Sequence, residues 1–279
     1  MTGADLVVQG PDATLDVALA LAPLARASGV EALDRTSTPA FRLADGVLDD
    51  AVAAAARAER LDAALVPRDR RLEDVGVVAM DMDSTLITIE CVDEIADMAG
   101  LKPQVAAITA AAMRGEIDFA ASLARRVALL AGLPEAALQR VHDERLRITP
   151  GAEAMLAGFH AGGATSLLVS GGFTFFTDRV MARLGLHAAL SNVLEVEGGR
   201  LTGRIAGAVV DADVKAEALQ RAHATRGGLA VAIGDGANDL PMFRCADVAI
   251  AFRAKPVVRA QATHALDFCG LDAVLNLFA

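Results

Sequence analysis

The chain has 279 residues, enough for two folding units at about 150 residues each. Hydrophobic residues make up 54% and charged residues 22%, which excludes a disordered chain. With 26 basic against 36 acidic residues the formal charge is −10, so nucleic acid and anionic membrane both repel it, and an anionic substrate needs local cations or a metal.

The first 74 residues read as a small α+β module. Short strands are expected at Asp5–Gln9, Ala40–Leu43 and Ala63–Val66, and helices at Asp16–Ala27 and Asp49–Arg60. The mixed-charge run from Arg68 to Asp74 reads as a solvated connection rather than a binding patch. From Gly76 the character changes. Val77–Met80, Ser166–Val169, Leu229–Ile233 and Val248–Ala251 are continuous apolar runs, as expected of strands covered on both faces. Helical patterns at Thr174–Leu184 and Lys215–Ala224 lie between them, so the fold class is α/β with a doubly wound, mainly parallel Rossmann-like sheet. One hairpin, Asn192–Glu197 and Arg200–Ile205, turns at Gly198-Gly199.

Between Cys91 and Pro150 the pattern is helical, at Val92–Ala99, Gln104–Arg114, Phe119–Ala131 and Glu135–Leu146. This stretch reads as a helical bundle inserted after the first core strand. The domain boundaries are therefore 1–74, a core of 75–90 with 151–279, and an insertion of 91–150. Ala154–Thr177 lacks charged side chains, but its glycines and His160 divide it into helix, turn and strand rather than a membrane span. Cys91, Cys245 and Cys269 form no disulfide framework, and the opening residues carry no apolar leader; a soluble cytoplasmic protein is expected.

Four places carry chemistry. Asp81 and Asp83 stand two residues apart at the end of a buried strand, in Asp81-Met82-Asp83-Ser84-Thr85. Two carboxylates there are costly unless compensated, and a divalent cation would offset both. An aspartate can also accept a phosphoryl group. Ser170-Gly171-Gly172 ends a second strand and lets backbone N–H groups approach an anion, although such a triplet is common in plain turns. Lys215, near the start of a helix, invites an anionic partner but would be unremarked as a surface lysine. Gly234-Asp235-Gly236-Ala237-Asn238-Asp239 places two carboxylates and an amide on a loop opening a helix.

In this order, each acidic or Ser-Gly element following a strand, the motifs resemble those of the haloacid dehalogenase-like phosphohydrolases. More narrowly, Asp81–Ile87, Glu90 with Asp93–Ala96, Ala112–Gly115, Phe119, Ser122–Val127, Val169–Phe173 and Gly234–Asp239 are similar to the phosphoserine phosphatase family. The likeness covers about residues 75–279; the first 74 are similar only in layout to the ACT-like modules of some longer members.

That resemblance implies a chemistry. Asp81 is the implied nucleophile, and Asp83 the acid that protonates the leaving oxygen and later the base for water. Mg²⁺ is the implied cofactor, held by Asp81, the Asp83 carbonyl and Asp235. Ser170, Gly171, Lys215 and Asn238 would hold phosphate or substrate, and Asp239 would orient the metal's surroundings or Lys215. Glu90 suits the substrate's ammonium and Arg126 its carboxylate, with Arg125 the alternative if the register slips by one. Glu90 alone would equally favour a helix start, and Arg126 alone would pass as a surface charge. Met113 and Phe119 are expected in an apolar lid, or simply in bundle packing. Lys102, Gly115 and the junctions near Glu90 and Pro150 are candidate flexing points. The implied reaction is Mg²⁺-dependent hydrolysis of phosphoserine, ending serine synthesis. Transfer to another hydroxyl amino acid such as homoserine is an alternative, as is an amino-acid sensor with an inactive core. The expected partner is the small substrate, with neither nucleic acid nor membrane; a homodimer is left open.

Overall fold

The computed structural model describes residues 3–279, apart from the Met113 side chain. Four antiparallel strands form the first sheet: β1 (Ala4–Gln9), β2 (Gly29–Leu33), β3 (Ala40–Ala44) and β4 (Asp62–Pro67), in the order β2-β3-β1-β4. Helices α1 (Leu15–Leu24) and α2 (Asp50–Ala58) complete a β-α-β-β-α-β chain order, the split βαβ arrangement. Thr14 and Asp49 cap the helices by accepting the N–H groups of Val17 and Val52. Leu6, Val8, Leu21, Leu43 and Val52 fill the space between helices and sheet. Helix α1 stops at Leu24, short of the Ala27 expected from its composition; Pro23 sits in its last turn and Arg26 turns the chain at φ 55°. Strand β2 was not anticipated. It is a mostly exposed edge strand, so it carries no buried face for a pattern to reveal.

The second sheet opens with β5 (Val75–Met80), after which the chain leaves for four helices: α3 (Cys91–Met98), α4 (Lys102–Met113), α5 (Phe119–Ala128) and α6 (Ala136–Glu144). Helix α5 ends three residues before the expected Ala131, because Gly132, at φ 81°, turns back to donate its N–H to the Leu201 carbonyl. The way out and the way back are tied together: Thr88 N–H donates to the Arg147 carbonyl and Thr149 N–H to that of Leu86. Helix α7 (Ala152–Ala161) then leads to β6 (Thr165–Phe173), α8 (Thr174–Leu184), β7 (Ala188–Glu197), β8 (Arg200–Ala206), α9 (Ala212–Arg226), β9 (Leu229–Gly234), α10 (Leu240–Arg244), β10 (Val248–Phe252), α11 (Pro256–Arg259) and β11 (His264–Leu266). The strand order is β11-β10-β9-β5-β6-β7-β8, parallel throughout except for the β7–β8 hairpin.

Neighbouring residues of the central strands serve opposite faces. Val78, Met80, Val231 and Ile233 pack on one side, and Val77, Ala79, Ala230 and Ala232 on the other. That double coverage is why these strands are apolar throughout rather than alternating. The uncharged stretch from Ala154 to Thr177 is divided among α7, β6 and α8, and no helix among the described residues is long and apolar enough to cross a membrane.

The two sheets are joined by buried acids. Asp62 of β4 accepts the backbone N–H groups of Asp267, Phe268 and Cys269 at 2.8, 3.1 and 3.1 Å. Asp272 accepts from Ser37 Oγ at 2.8 Å and from Thr38 N–H at 3.0 Å. The mixed-charge run after β4 is not simply solvated, either: Arg68 bridges Asp5 and Asp45, both at 2.6 Å, and Arg70 reaches His264 Nε2 at 2.8 Å. Replacing Asp62 with alanine leaves buried N–H groups unmatched, and charge-assisted hydrogen bonds of this kind put the expected loss at about 3 kcal/mol. Denaturant unfolding of Asp62→Ala measures it; an unchanged midpoint would show that this acid does not tie the two sheets.

Candidate active site

The carboxyl ends of β5, β6 and β9 lie side by side; Asp81 follows β5 directly, Gly234 ends β9 just before Asp235, and Ser170-Gly171-Gly172 lie within the last residues of β6, which runs on to Phe173 rather than stopping at Val169. In open α/β sheets this edge is where ligands bind. Asp81 follows β5 with its Oδ1 accepting Met82 N–H at 2.6 Å. The chain then turns tightly: Ser84 adopts φ 55°, ψ 1°, a left-handed conformation rare outside glycine. This turn sends the Ser84 hydroxyl to Glu90 Oε1 at 2.6 Å and brings the Asp83 carboxylate under the Cys91 N–H at 3.2 Å. The loop between β5 and the inserted helices is thereby closed on itself.

Lys215 comes from α9 and is 1% exposed. Its Nζ lies 2.6 Å from Asp81 Oδ2 and 2.9 Å from Asp239 Oδ1. Burial opposes its charge, yet Asp239 and Asp81 outweigh burial and hold the ammonium above the usual lysine range. The lysine is four residues into α9, which starts at Ala212 rather than at Lys215 because Asp211 caps it, accepting from Asp213 and Val214 N–H at 3.0 Å. Asp239 fits beneath β9 only because residue 234 is glycine; a Cβ there would collide with the Asp239 carboxylate.

The other carboxylates are held against ionisation. Burial, with Glu90 and Asp81 nearby, pushes Asp83 well above the usual range. Burial followed by the charges of Asp81 and Asp239 raises Asp235 to about 8. Asp239 is raised by burial to about 6, against the pull of Lys215. Glu90 keeps part of its surface open at the mouth, yet enough protein lies over it for burial to raise its carboxyl. Arg126 is lowered by burial, while Asp93, Glu90 and Asp83 sustain its charge.

Asp81, Asp235 and Asp239 present carboxylate oxygens that all lie within 4.8 Å of one another. An all-oxygen donor set with surplus negative charge fits a hard divalent cation. The geometry thus adds Asp239 to the candidate donors, where sequence reading placed it behind them. It shows the Asp83 carboxylate against Cys91, with Oδ1 shut off from solvent and without a partner.

Asp81, Asp83 and Asp235 line a cavity of about 130 Å³ together with Glu90, Arg126, Ser170, Gly171 and Asn238. Lys215 and Asp239 stand behind its wall. Asn238 Nδ2 is 3.3 Å from Asp81 Oδ2, and Ser170 Oγ accepts Gly172 N–H at 2.9 Å. Phe119, opening α5, reaches over from the inserted helices; the tip of its ring would come within 2.8 Å of a Cβ at residue 171. Arg126 lines the cavity and Arg125 is exposed. Met113 ends α4, and its side chain lies outside the described residues.

Three supporting residues were not read from the sequence. Thr85 donates to Asp235 Oδ1 at 3.2 Å, and Ser84 orients Glu90; both stood inside the quoted motif without a role. Buried Asn192 donates to the Gly171 carbonyl at 2.8 Å and accepts Val210 N–H at 2.8 Å, fixing the Ser-Gly-Gly strand end from the neighbouring strand. Its partners are 21 and 18 residues away, so no local signal marks it.

The raised Asp235 has a consequence for the metal-free protein. Between about pH 4 and pH 8 the folded state binds the proton that the unfolded state has released, so stability falls as pH rises through this window, by at most about 1.4 kcal/mol per unit. A bound divalent cation removes that proton and reverses the trend. Melting temperatures at pH 5 and pH 8, with chelator and with Mg²⁺, should show a drop without the ion and a cation-induced rise that is larger at pH 8. Equal shifts at both pH values would contradict this assignment.

The haloacid dehalogenase-like hydrolase family model matches residues 78–244. A phosphoserine phosphatase from Albidiferax ferrireducens is 51% identical over 216 residues, 75% of this chain and 91% of that protein. The crystal structure of a haloacid dehalogenase family hydrolase from Salmonella enterica serovar Typhi has a TM-score of 0.85 at 32% identity, covering 99% of this chain and 98% of its own. The structure of a phospho-aspartyl intermediate analogue of phosphoserine phosphatase has a TM-score of 0.69 at 36% identity, covering 74% of this chain and 99% of that one. With a carboxylate-bearing strand end, a buried lysine and an acidic loop in this arrangement, the chain belongs to the haloacid dehalogenase-like hydrolases, in the phosphoserine phosphatase family.

Proposed function

We propose that the protein hydrolyses O-phosphoserine to serine and phosphate, with Mg²⁺ bound and through a phosphoryl group carried on Asp81. The observation that carries this reading is one small cavity holding Asp81, an Asp83 biased toward its protonated form, and the opposed charges of Glu90 and Arg126. The intermediate analogue of the related phosphatase supports the same route.

In the first step an Asp81 oxygen attacks phosphorus, the bond from phosphorus to the seryl oxygen breaks, and Asp83 gives its proton to that oxygen. Burial and the neighbouring acids Glu90 and Asp81 favour that proton by raising the Asp83 carboxyl well above the usual range. In the second step water attacks the phosphoryl group, and the Asp83 carboxylate now takes the water's proton. Phosphate leaves and Asp81 is restored. Lys215 and Asn238 hold Asp81 in line throughout. Ser170 and the N–H groups of its glycines receive phosphoryl oxygens. Asp81 and Asp235, with Asp239 or the Asp83 carbonyl, would hold Mg²⁺, which would supply positive charge against the phosphoryl oxygens.

Arg126 takes the substrate carboxylate and Glu90 its ammonium. Phe119, packed on Gly171, keeps bulk water from the first step. Three free cysteines suit a reducing cytoplasm, where this hydrolysis would complete serine synthesis.

A phosphate-release screen over phosphorylated metabolites tests the reading. Phosphoserine should lead, and chelator should abolish release; preference for another ester, or indifference to chelator, would contradict it. Arg126→Ala should cost phosphoserine about a hundredfold in kcat/KM, the worth of charge-assisted hydrogen bonds of about 2–3 kcal/mol. An aryl phosphate should lose far less, and equal losses would remove Arg126 from recognition.

A further inference from the structure

Asp93 stands beside Glu90 and Arg126, the groups proposed to recognise the substrate. It lies in the first turn of α3, three residues after Glu90, so the two carboxylates share a helix face. Both line a larger cavity, of about 860 Å³, that shares Glu90, Phe119, Arg126, Asp235 and Asn238 with the smaller one. Three polar atoms on its lining are shut off from solvent and have no hydrogen-bond partner: Asp93 Oδ1, Thr109 Oγ1 and Arg126 Nε. Buried polar atoms in native proteins are nearly always matched, so an orphan acceptor and an orphan donor beside one cavity indicate a ligand that brings both complements.

A zwitterion does so. Its ammonium carries three N–H donors. Glu90 cannot serve them all, since its Oε1 already accepts the Ser84 hydroxyl at 2.6 Å. We infer that Asp93 is a specificity-determining residue, its Oδ1 taking one N–H of the substrate's α-ammonium beside Glu90 while Arg126 holds the carboxylate. Phosphate esters without an ammonium then face two uncompensated acids, which selects against them. Asp93 is also the acid that most strongly sustains the Arg126 charge, so it stands close to both halves of the recognition site.

This inference rests on phosphoserine being the substrate, and three esters separate the two claims: phosphoserine, O-phosphoethanolamine, which lacks the carboxylate, and 3-phosphooxypropionate, which lacks the ammonium. Wild-type protein that does not prefer phosphoserine to both truncated esters would refute the substrate reading itself. Given that preference, Asp93→Ala should lose at least tenfold more kcat/KM on phosphoserine and phosphoethanolamine than on 3-phosphooxypropionate, mainly through KM. Asp93→Asn, which preserves volume, should show the same ordering and carries the test if the alanine variant does not fold. Asp93→Glu, which keeps a charged acceptor, should recover part of the loss. Phosphoethanolamine spared while both carboxylate esters suffer would overturn the inference, because Asp93 would then act through Arg126. Equal loss on all three esters would also overturn it, leaving Asp93 a packing role.

Discussion

One buried ammonium holds together a cluster of like charges. Lys215 is wedged between Asp81 and Asp239 at 2.6 and 2.9 Å, and Asp83 and Asp235 crowd the same strand ends. Ionised carboxylates packed together in a site poor in water are strongly unfavourable. A single lysine cannot neutralise four of them. The remainder is met by backbone N–H groups from Met82, Cys91 and Gly236, and by protons retained on Asp83 and Asp235. The same surplus is what a divalent cation is suited to resolve. The attraction for ligand and the difficulty of assembling the site thus have one origin.

The topology makes that crowding possible. Central strands buried on both faces give rigid ends, and β5, β9 and α9 deliver Asp81, Asp235 with Asp239, and Lys215 to one place. The inserted helices leave and rejoin through a paired neck at Leu86–Thr88 and Arg147–Thr149. Ser84 lies just before that neck and hydrogen-bonds Glu90 just beyond it, so the turn after Asp81 is tied to the start of α3. On the far side, Asp62 and Asp272 secure the N-terminal sheet to the chain after β11.

Much of this was legible in the sequence for a physical reason. A strand such as Val77–Met80, covered on both sides, must be apolar throughout, so carboxylates at its end stand out. The same holds for Leu229–Ile233 before Asp235. The short edge strands β2 and β11 lack that signature, because exposure or brevity removes the pattern. The register of α5 was open by one residue until Arg126 was found at the cavity and Arg125 at the surface. Asn192 acts through partners on other elements and Asp93 lines a cavity formed by several, so only the packed structure reveals what they face. The membership of Asp239 in the acidic cluster was hidden likewise, since it depends on how the loop after β9 folds over Gly234.

The proposed covalent phosphorylation of Asp81 within this cluster is open to direct measurement. Rapid acid quenching after mixing with phosphorus-labelled phosphoserine and Mg²⁺, followed by peptide mapping, tests it directly. The account predicts label on the peptide carrying Asp81, and none when that residue is changed to asparagine. Label on any other residue, or turnover by the asparagine variant at the wild-type rate, would contradict it.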